Sequence, residues 1–264
     1  MRQPGFGSPW SATVVLLVVN VLAFVLQNVL YRFSDFPVNR YLALSVFGLG
    51  RGFVWQLLTY QFLHGGLLHL LLNCWAIYVF GRAIEEAMGW RRFLALFFGS
   101  GVIGGLFQAL AGVLLNGAFA APVVGASAGA FGLVAAFATL YPERPLMLLL
   151  FFIIPVNMRA KFLLLFSALL AVFGILFPAD NIAHAAHLGG MVTGIVFVSL
   201  ATRWRWHWPR FQRRQRPSLR LLVKTPRRTS AGWGQGSAVA DEDLPPEEFL
   251  SKEVDPILDK ISAH

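Results

Sequence analysis

The chain has 264 residues, of which 56% are hydrophobic, and a mean hydropathy of +0.62. This composition excludes an ordinary soluble domain and indicates a membrane protein with several spans. The formal net charge of +9 is segregated, because basic residues crowd between Arg203 and Arg228 and most acidic residues follow Ala240. The single cysteine, Cys74, excludes an intramolecular disulfide framework.

Six apolar segments are predicted to be transmembrane helices, at residues 12–30, 66–82, 93–115, 125–141, 162–177 and 182–201. The first is too long for the apolar part of a cleavable signal, so we interpret it as a span. Residues 31–65 are aromatic-rich and broken by proline and glycine, which predicts a structured loop with amphipathic pieces. The apolar run at residues 146–154 is too short to cross a hydrocarbon core of about 30 Å.

Basic residues follow the second, fourth and sixth spans, whereas the loops after the third and fifth spans carry none. By the positive-inside rule, both termini are expected to be cytoplasmic, in the cell (inner or plasma) membrane. The long first loop is the exception, because it contains Arg32, Arg40 and Arg51. The short loops decide the orientation, since the rule is strongest for them.

Four polar side chains are predicted to lie in one layer of this membrane domain. His69 and Asn73 lie three and seven residues into the second span, Ser127 two residues into the fourth, and His187 five residues into the sixth. All three spans enter from the outer side, and a helix rises 1.5 Å per residue. The four groups therefore fall roughly 3–11 Å below the outer face.

Ser127 is the one hydroxyl in the small-residue stretch from Gly125 to Gly132. Such a stretch on its own more often serves close helix packing, so Ser127 requires a base. We assign that role to His187, because Gly190 and Gly194 follow on its helical face and permit close approach. His184 is the rival and is expected to face the aqueous mouth.

The fourth and sixth spans contain no Asp or Glu, and Asp180 lies in a turn. We therefore expect a Ser–His dyad rather than a triad. His69 and Asn73 are four residues apart, hence on one helical face. With the Ser127 backbone N–H, they suit donors to a developing oxyanion. The alternative is a polar pair that only holds helices together.

Over residues 55–200 the sequence resembles the rhomboid intramembrane serine proteases. The resemblance rests on four motifs: Phe62 to Asn73 (FLHGGLLHLLLN), Gly81 with Glu85 and Gly89, Gly125 to Gly129 (GASAG), and Ala186 to Gly190 (AHLGG) followed by Gly194. It implies the dyad Ser127 and His187, an oxyanion site with His69 and Asn73, and a supporting role for His64 nearby.

The resemblance also implies the fold and the substrate. The fold is an all-α six-helix bundle with a water-filled cavity open to the outer side. The substrates are single transmembrane helices of other proteins, and no cofactor or metal is expected. One departure is Gln56 after Trp55, where related proteins with a Trp-Arg pair have arginine.

Two other functions are alternatives. A metal-dependent membrane enzyme could use His64, His69, His184 and His187, although the spacing lacks a His-Glu-x-x-His motif. A catalytically inactive rhomboid-like protein could bind transmembrane helices without cleaving them.

The segment after the sixth span is read as three parts. The membrane domain is expected to end at residue 204, and the alternating Trp and Arg residues at 203–208 favour contact with anionic lipid over nucleic acid. Residues 205–240 form a basic and then flexible linker. Residues 241–264 are acidic with apolar residues at helical spacing, which predicts either a small helix that docks to a cytoplasmic partner or the stump of a longer domain.

Overall fold

The computed structural model describes residues 11–115, 117–150 and 154–203, which are mostly helical. The chain divides into residues 1–212 and 213–264, and the second part lies outside the described residues. The linker and acidic segment predicted for residues 205–264 therefore also lie outside them.

Six of the helices in the described residues are apolar, and they coincide with the six predicted segments. Four are long enough to cross a membrane: Ala12–Phe33 (α1), Leu67–Met88 (α5 and α6), Trp90–Leu115 (α7) and His184–Arg203 (α10). Ser127–Leu140 (α8) and Ala160–Leu176 (α9) are apolar but shorter. The predicted ends differ from the observed ends by up to six residues, the largest difference being at the end of the second segment.

The second long helix is interrupted by one wide turn. Its first part, Leu67–Ala76 (α5), passes through a π turn at Ile77–Gly81 into Arg82–Met88 (α6). The carboxylate of Glu85 in α6 accepts hydrogen bonds from Ala12 N (2.8 Å), Thr13 N (2.9 Å) and Thr13 Oγ1 (2.6 Å). These bonds satisfy amide groups at the start of α1 that have no partner within their own helix.

The loop between α1 and α5 is structured, as the sequence predicts. It contains the short helices Val38–Leu42 (α2), Val46–Gly50 (α3) and Gln56–Thr59 (α4), followed by a 3-10 turn at Tyr60–Phe62. Gln56 is fully buried; its Oε1 accepts from Ser45 N (3.1 Å) and its Nε2 donates to Arg40 O (2.9 Å). The position that carries arginine in the Trp-Arg pair thus holds an amide that ties two parts of the loop together.

The all-α expectation is wrong at residues 145–159. Pro145–Leu150 (β1) and Ile154–Arg159 (β2) form an antiparallel pair, with Pro145 opposite Arg159. At its base Glu143 pairs with Arg159 (2.8 Å) and with Lys161, and the Lys161 hydrogen bond is the main cause that lowers the pKa of Glu143. A short apolar run fits a strand as well as a helix by periodicity, so this sequence pattern could not identify the hairpin.

Glycine residues bring α10 against α7 and α8. A methyl group at Gly190 would overlap the Ala128 backbone, and one at Gly194 would overlap the Gly132 carbonyl. On the other side, Gly104 of α7 faces the Ala186 carbonyl and the Ala128 side chain. Gly190 and Gly194 therefore lie where α8 and α10 approach most closely, and these contacts set the distance between the two helices.

We predict that Gln56→Ala destabilises the protein, because it removes a buried amide and leaves part-buried backbone groups at Arg40 and Ser45 without their partner. The expected loss is roughly 1–3 kcal/mol in the free energy of unfolding. Thermal unfolding in detergent measures it, with Leu58→Ala, at a side chain 48% exposed on the same short helix, as the control. Equal midpoints for the two variants would contradict the buried-amide account.

Candidate active site

A tight backbone turn delivers Ser127 to the start of α8. Gly125 has φ of +132°, in the region that favours glycine, and its N–H donates to Tyr60 O (2.9 Å). A methyl group here would also lie 2.8 Å from the His69 imidazole. Gly125 is therefore required both by its backbone conformation and by the approach of His69.

The two residues chosen from sequence as nucleophile and base lie in contact. Ser127 Oγ is 2.8 Å from His187 Nε2, although the residues are 60 positions apart in the chain. The Phe131 ring, one turn further along α8 from Ser127, packs on the His187 imidazole with ring centroids 4.5 Å apart. The geometry allows the hydroxyl proton to pass to the imidazole.

Gln108 fixes the start of α10, and sequence reasoning missed it. Its Oε1 accepts from Ala186 N (3.3 Å) and its Nε2 donates to Phe119 O (3.4 Å), so one buried amide joins α7, α10 and the loop before Ser127. A lone amide within a predicted span was the available signal, because idle polar groups are costly in a membrane.

His69 lies beside the Ser127 turn. Its Nδ1 accepts from Gly65 N (3.3 Å), so in the neutral ring the proton is assigned to Nε2, the nitrogen next to Gly125. Asn73 lies one turn further along the same face, is buried, and donates one N–H to His69 O (3.0 Å). The structure thus brings His69 to the Ser127 turn, with Asn73 next to it on α5.

His64 is buried behind His69, with ring centroids 5.2 Å apart. Its backbone is held in both directions by Gln27 of α1, through His64 N to Gln27 Oε1 and Gln27 Nε2 to His64 O, each 2.9 Å. Burial, followed by the charge of His69, lowers the pKa of His64 to about 4, so the ring is neutral near pH 7. Gln27 is a second residue that sequence reasoning missed.

The expectation that His184 faces an aqueous mouth is wrong. Its side chain is 7% exposed, and its Nε2 lies 3.1 Å from Asp180 Oδ1. Gly174 of α9 leaves the space that the His184 ring occupies. The ring is buried because a carboxylate and a gap in the neighbouring helix both accommodate it.

A cavity of about 420 Å³ lies beside His64, between α1, the first loop and the segment before Ser127. Its lining includes the polar side chains of Gln27, Asn28, Tyr31 and Asn39. Within residues 11–115, 117–150 and 154–203, no three His, Cys, Asp or Glu side chains come together as a metal-ligand set.

The fold and the site together define a membrane protein whose apolar helices bring a serine and a histidine into contact. Residues 51–204 match the family model described as the Rhomboid domain, which covers more than half of the chain. The chain therefore belongs to the rhomboid family, and its resemblance to that family is confirmed.

Three relatives illustrate the range of the family. The chain is 30% identical over 136 residues to Rhomboid protein 1, mitochondrial, of Saccharomyces cerevisiae, covering 52% of this chain and 38% of that protein. It is 35% identical over 121 residues to the putative rhomboid protease YdcA of Bacillus subtilis, covering 43% and 58%. It is 39% identical over 83 residues to Rhomboid-like protease 2 of Toxoplasma gondii, covering 31% and 28%. The matches thus span less than two thirds of each relative.

We predict that Gly125→Ala destabilises the site, because alanine is strained at this φ and its methyl meets His69. The expected loss in the free energy of unfolding is roughly 1–3 kcal/mol. Thermal unfolding measures it against Gly50→Ala, where nothing lies within 4 Å of the added methyl. A midpoint for Gly125→Ala at or above that of Gly50→Ala would show that neither strain nor the His69 contact matters.

Proposed function

We propose that the protein is an intramembrane serine endopeptidase that cleaves single-span membrane proteins near the outer end of their transmembrane helix. The 2.8 Å contact between Ser127 Oγ and His187 Nε2, inside a rhomboid domain, carries this proposal. Ser127 is the nucleophile and His187 is the general base, in a dyad without a carboxylate bonded to the base.

The reaction proceeds through an acyl-enzyme. Ser127 Oγ attacks the scissile carbonyl carbon while its proton passes to His187 Nε2, and a tetrahedral oxyanion forms. The C–N bond then breaks, and His187 returns the proton to the leaving amine. Water next attacks the ester with His187 as base, which releases the carboxylate product and restores the hydroxyl.

The oxyanion is stabilised by donors on two elements. The Ser127 N–H lies at the start of α8, where an amide has no partner within its own helix and the helix dipole is positive. His69 Nε2–H and the second amide hydrogen of Asn73 complete the set. Each such donor is typically worth about 3–4 kcal/mol of barrier.

We propose that six helices cross the membrane, namely the four longer ones together with α8 and α9. This places the Ser127 end of α8 near the outer face, both termini in the cytoplasm and the chain in the cell membrane. Water would reach the site through a cavity open to that face. The proposed partners are substrate helices, the lipid bilayer and a cytoplasmic protein at residues 241–264, with no nucleic acid.

The substrate preference follows from backbone chemistry. A helical substrate hides its scissile carbonyl in its own hydrogen bonds, so the helix must unwind locally where protein and water satisfy the freed groups. Weak helix formers near the outer end of the substrate helix, such as Gly, Ser or Pro, lower that cost. Alanine is also expected there, because its small side chain lets Ser127 approach the substrate backbone closely.

A catalytically inactive rhomboid-like protein that binds transmembrane helices is the second candidate. It is favoured by one observation, that the relatives include proteins named only as rhomboid-like. Covalent labelling of Ser127 by a fluorophosphonate probe separates the two, since only an activated serine reacts.

We predict that Ser127→Ala and His187→Ala each abolish cleavage of a co-expressed single-span reporter, at unchanged protein level, because each removes one end of the proton transfer. Immunoblotting of the reporter measures cleavage. Ser100→Ala, at a buried serine of α7, is the matched control and should cleave normally. Cleavage by either dyad variant would refute the assignment.

We predict that Asn73→Ala lowers kcat by about 10²–10³-fold, with a smaller change in KM, because an oxyanion donor acts mainly in the transition state. Kinetics with a purified reporter measure both constants. Asn28→Ala is the control, since Asn28 makes the same kind of bond to its own helix, from Nδ2 to Phe24 O (2.7 Å). Equal effects of the two substitutions would assign Asn73 to structure alone.

A further inference from the structure

A carboxylate and an imidazole form a pair at the start of α10, outside the Ser127–His187 contact. Both carboxylate oxygens of Asp180 lie near His184 Nε2, at 3.1 and 3.3 Å. The His184 side chain is 7% exposed, whereas that of Asp180 is 47% exposed. The pair therefore joins a solvent-accessible carboxylate to a buried ring.

The position of each partner is fixed by further contacts. Asp180 Oδ1 also accepts from Ile182 N (3.0 Å), and the carboxylate lies at the start of α10, where the helix dipole favours an anion. The His184 ring fills the space beside Gly174 of α9, where a methyl group would overlap it. The pair is thus set by the turn, by α10 and by α9 together.

The pair lies one helical turn from His187. The rings of His184 and His187 are three residues apart on α10 and meet edge to face, with centroids 6.3 Å apart. Because His184 Nε2 faces a carboxylate, which only accepts, this nitrogen is assigned as the hydrogen-bond donor. The Asp180 carboxylate is thus separated from the His187 ring by one intervening imidazole.

Other titratable or nucleophilic groups near this end of α10 come from α5, α8 and the loop before α5. His69 of α5 and Ser127 of α8 face the site, and His64 lies behind His69. In the described residues, α7 and α9 place their cations, Arg91, Arg92 and Lys161, at their opposite ends. Arg92 and Lys161 are 12 and 13 positions from Gly104 and Gly174, the residues that meet this end of α10, or roughly 20 Å along each helix.

We propose that Asp180 and His184 are positioning residues for the dyad, supplying the negative charge that a Ser–His pair lacks. The inference rests on the proposed function. As the Ser127 oxygen bonds to the substrate carbonyl carbon, its proton moves to His187 Nε2 and the ring becomes positive. The neighbouring negative charge stabilises that imidazolium until the leaving amine takes the proton.

The test is the pH dependence of Ser127 labelling by a fluorophosphonate probe, measured as a second-order rate constant on the full-length protein in detergent. Asp180→Asn is expected to lower the maximal labelling rate constant, the plateau of the pH profile, by about tenfold. It is also expected to move the acidic limb of that profile, where the rate falls as His187 is protonated, to lower pH by about one unit. Both effects have one cause, because loss of the negative charge makes protonated His187 less favourable.

Three variants serve as comparisons. Asp180→Ser removes the charge but keeps an acceptor for Ile182 N–H, so it should give the same shift. Asp180→Glu keeps the charge and should retain the wild-type limb. Glu143→Gln removes a charge at the opposite end of α8 and should change neither rate nor limb.

The outcomes separate this inference from the proposed function. A wild-type rate and pH profile in Asp180→Asn overturns the inference while the dyad stands. A lowered plateau with an unmoved acidic limb also overturns it, because that is the result of a purely structural role. Failure of the wild type to label at Ser127 at any pH overturns the proposed function and this inference together.

Discussion

The close approach of α8 and α10 is the constraint on which the site depends. Gly190 and Gly194 press against the backbone of α8, and this contact holds His187 Nε2 within 2.8 Å of Ser127 Oγ. In a membrane, helices gain little from hydrophobic burial against one another, so such backbone contact is a main source of association. The residues that hold the bundle together therefore also set the distance between Ser127 and His187.

Several polar side chains in this domain serve helix and loop ends. Glu85 caps the start of α1, Gln108 holds the start of α10, and Gln27 fixes the backbone at His64. An unpaired amide or carbonyl costs several kcal/mol in hydrocarbon, so each such end requires a partner. Gln56 does the same for the first loop, which explains how that loop folds without the arginine of the Trp-Arg pair.

The sequence was sufficient to predict the main helices and the contact between Ser127 and His187. Both predictions need only distances along the chain, namely the length of each apolar segment and the number of residues from its end to the polar side chain. The sequence was insufficient where geometry depends on a partner element. The hairpin at Pro145–Arg159 arose from an apolar run with no decisive period. The burial of His184 depended on a gap at Gly174 in another helix, which no spacing along α10 could reveal.

The π turn at Ile77–Gly81 lets one long helix contact two different neighbours, α8 and α1. A π turn accommodates about one extra residue, so it changes the rotational phase of everything that follows it. The first half of this helix can thus direct His69 toward the Ser127 end of α8, while the second half directs Glu85 toward α1. The side chains of the two halves can therefore point in independent directions although the helix axis is continuous. In a regular helix of the same sequence, the direction of one set of side chains would fix the direction of the other.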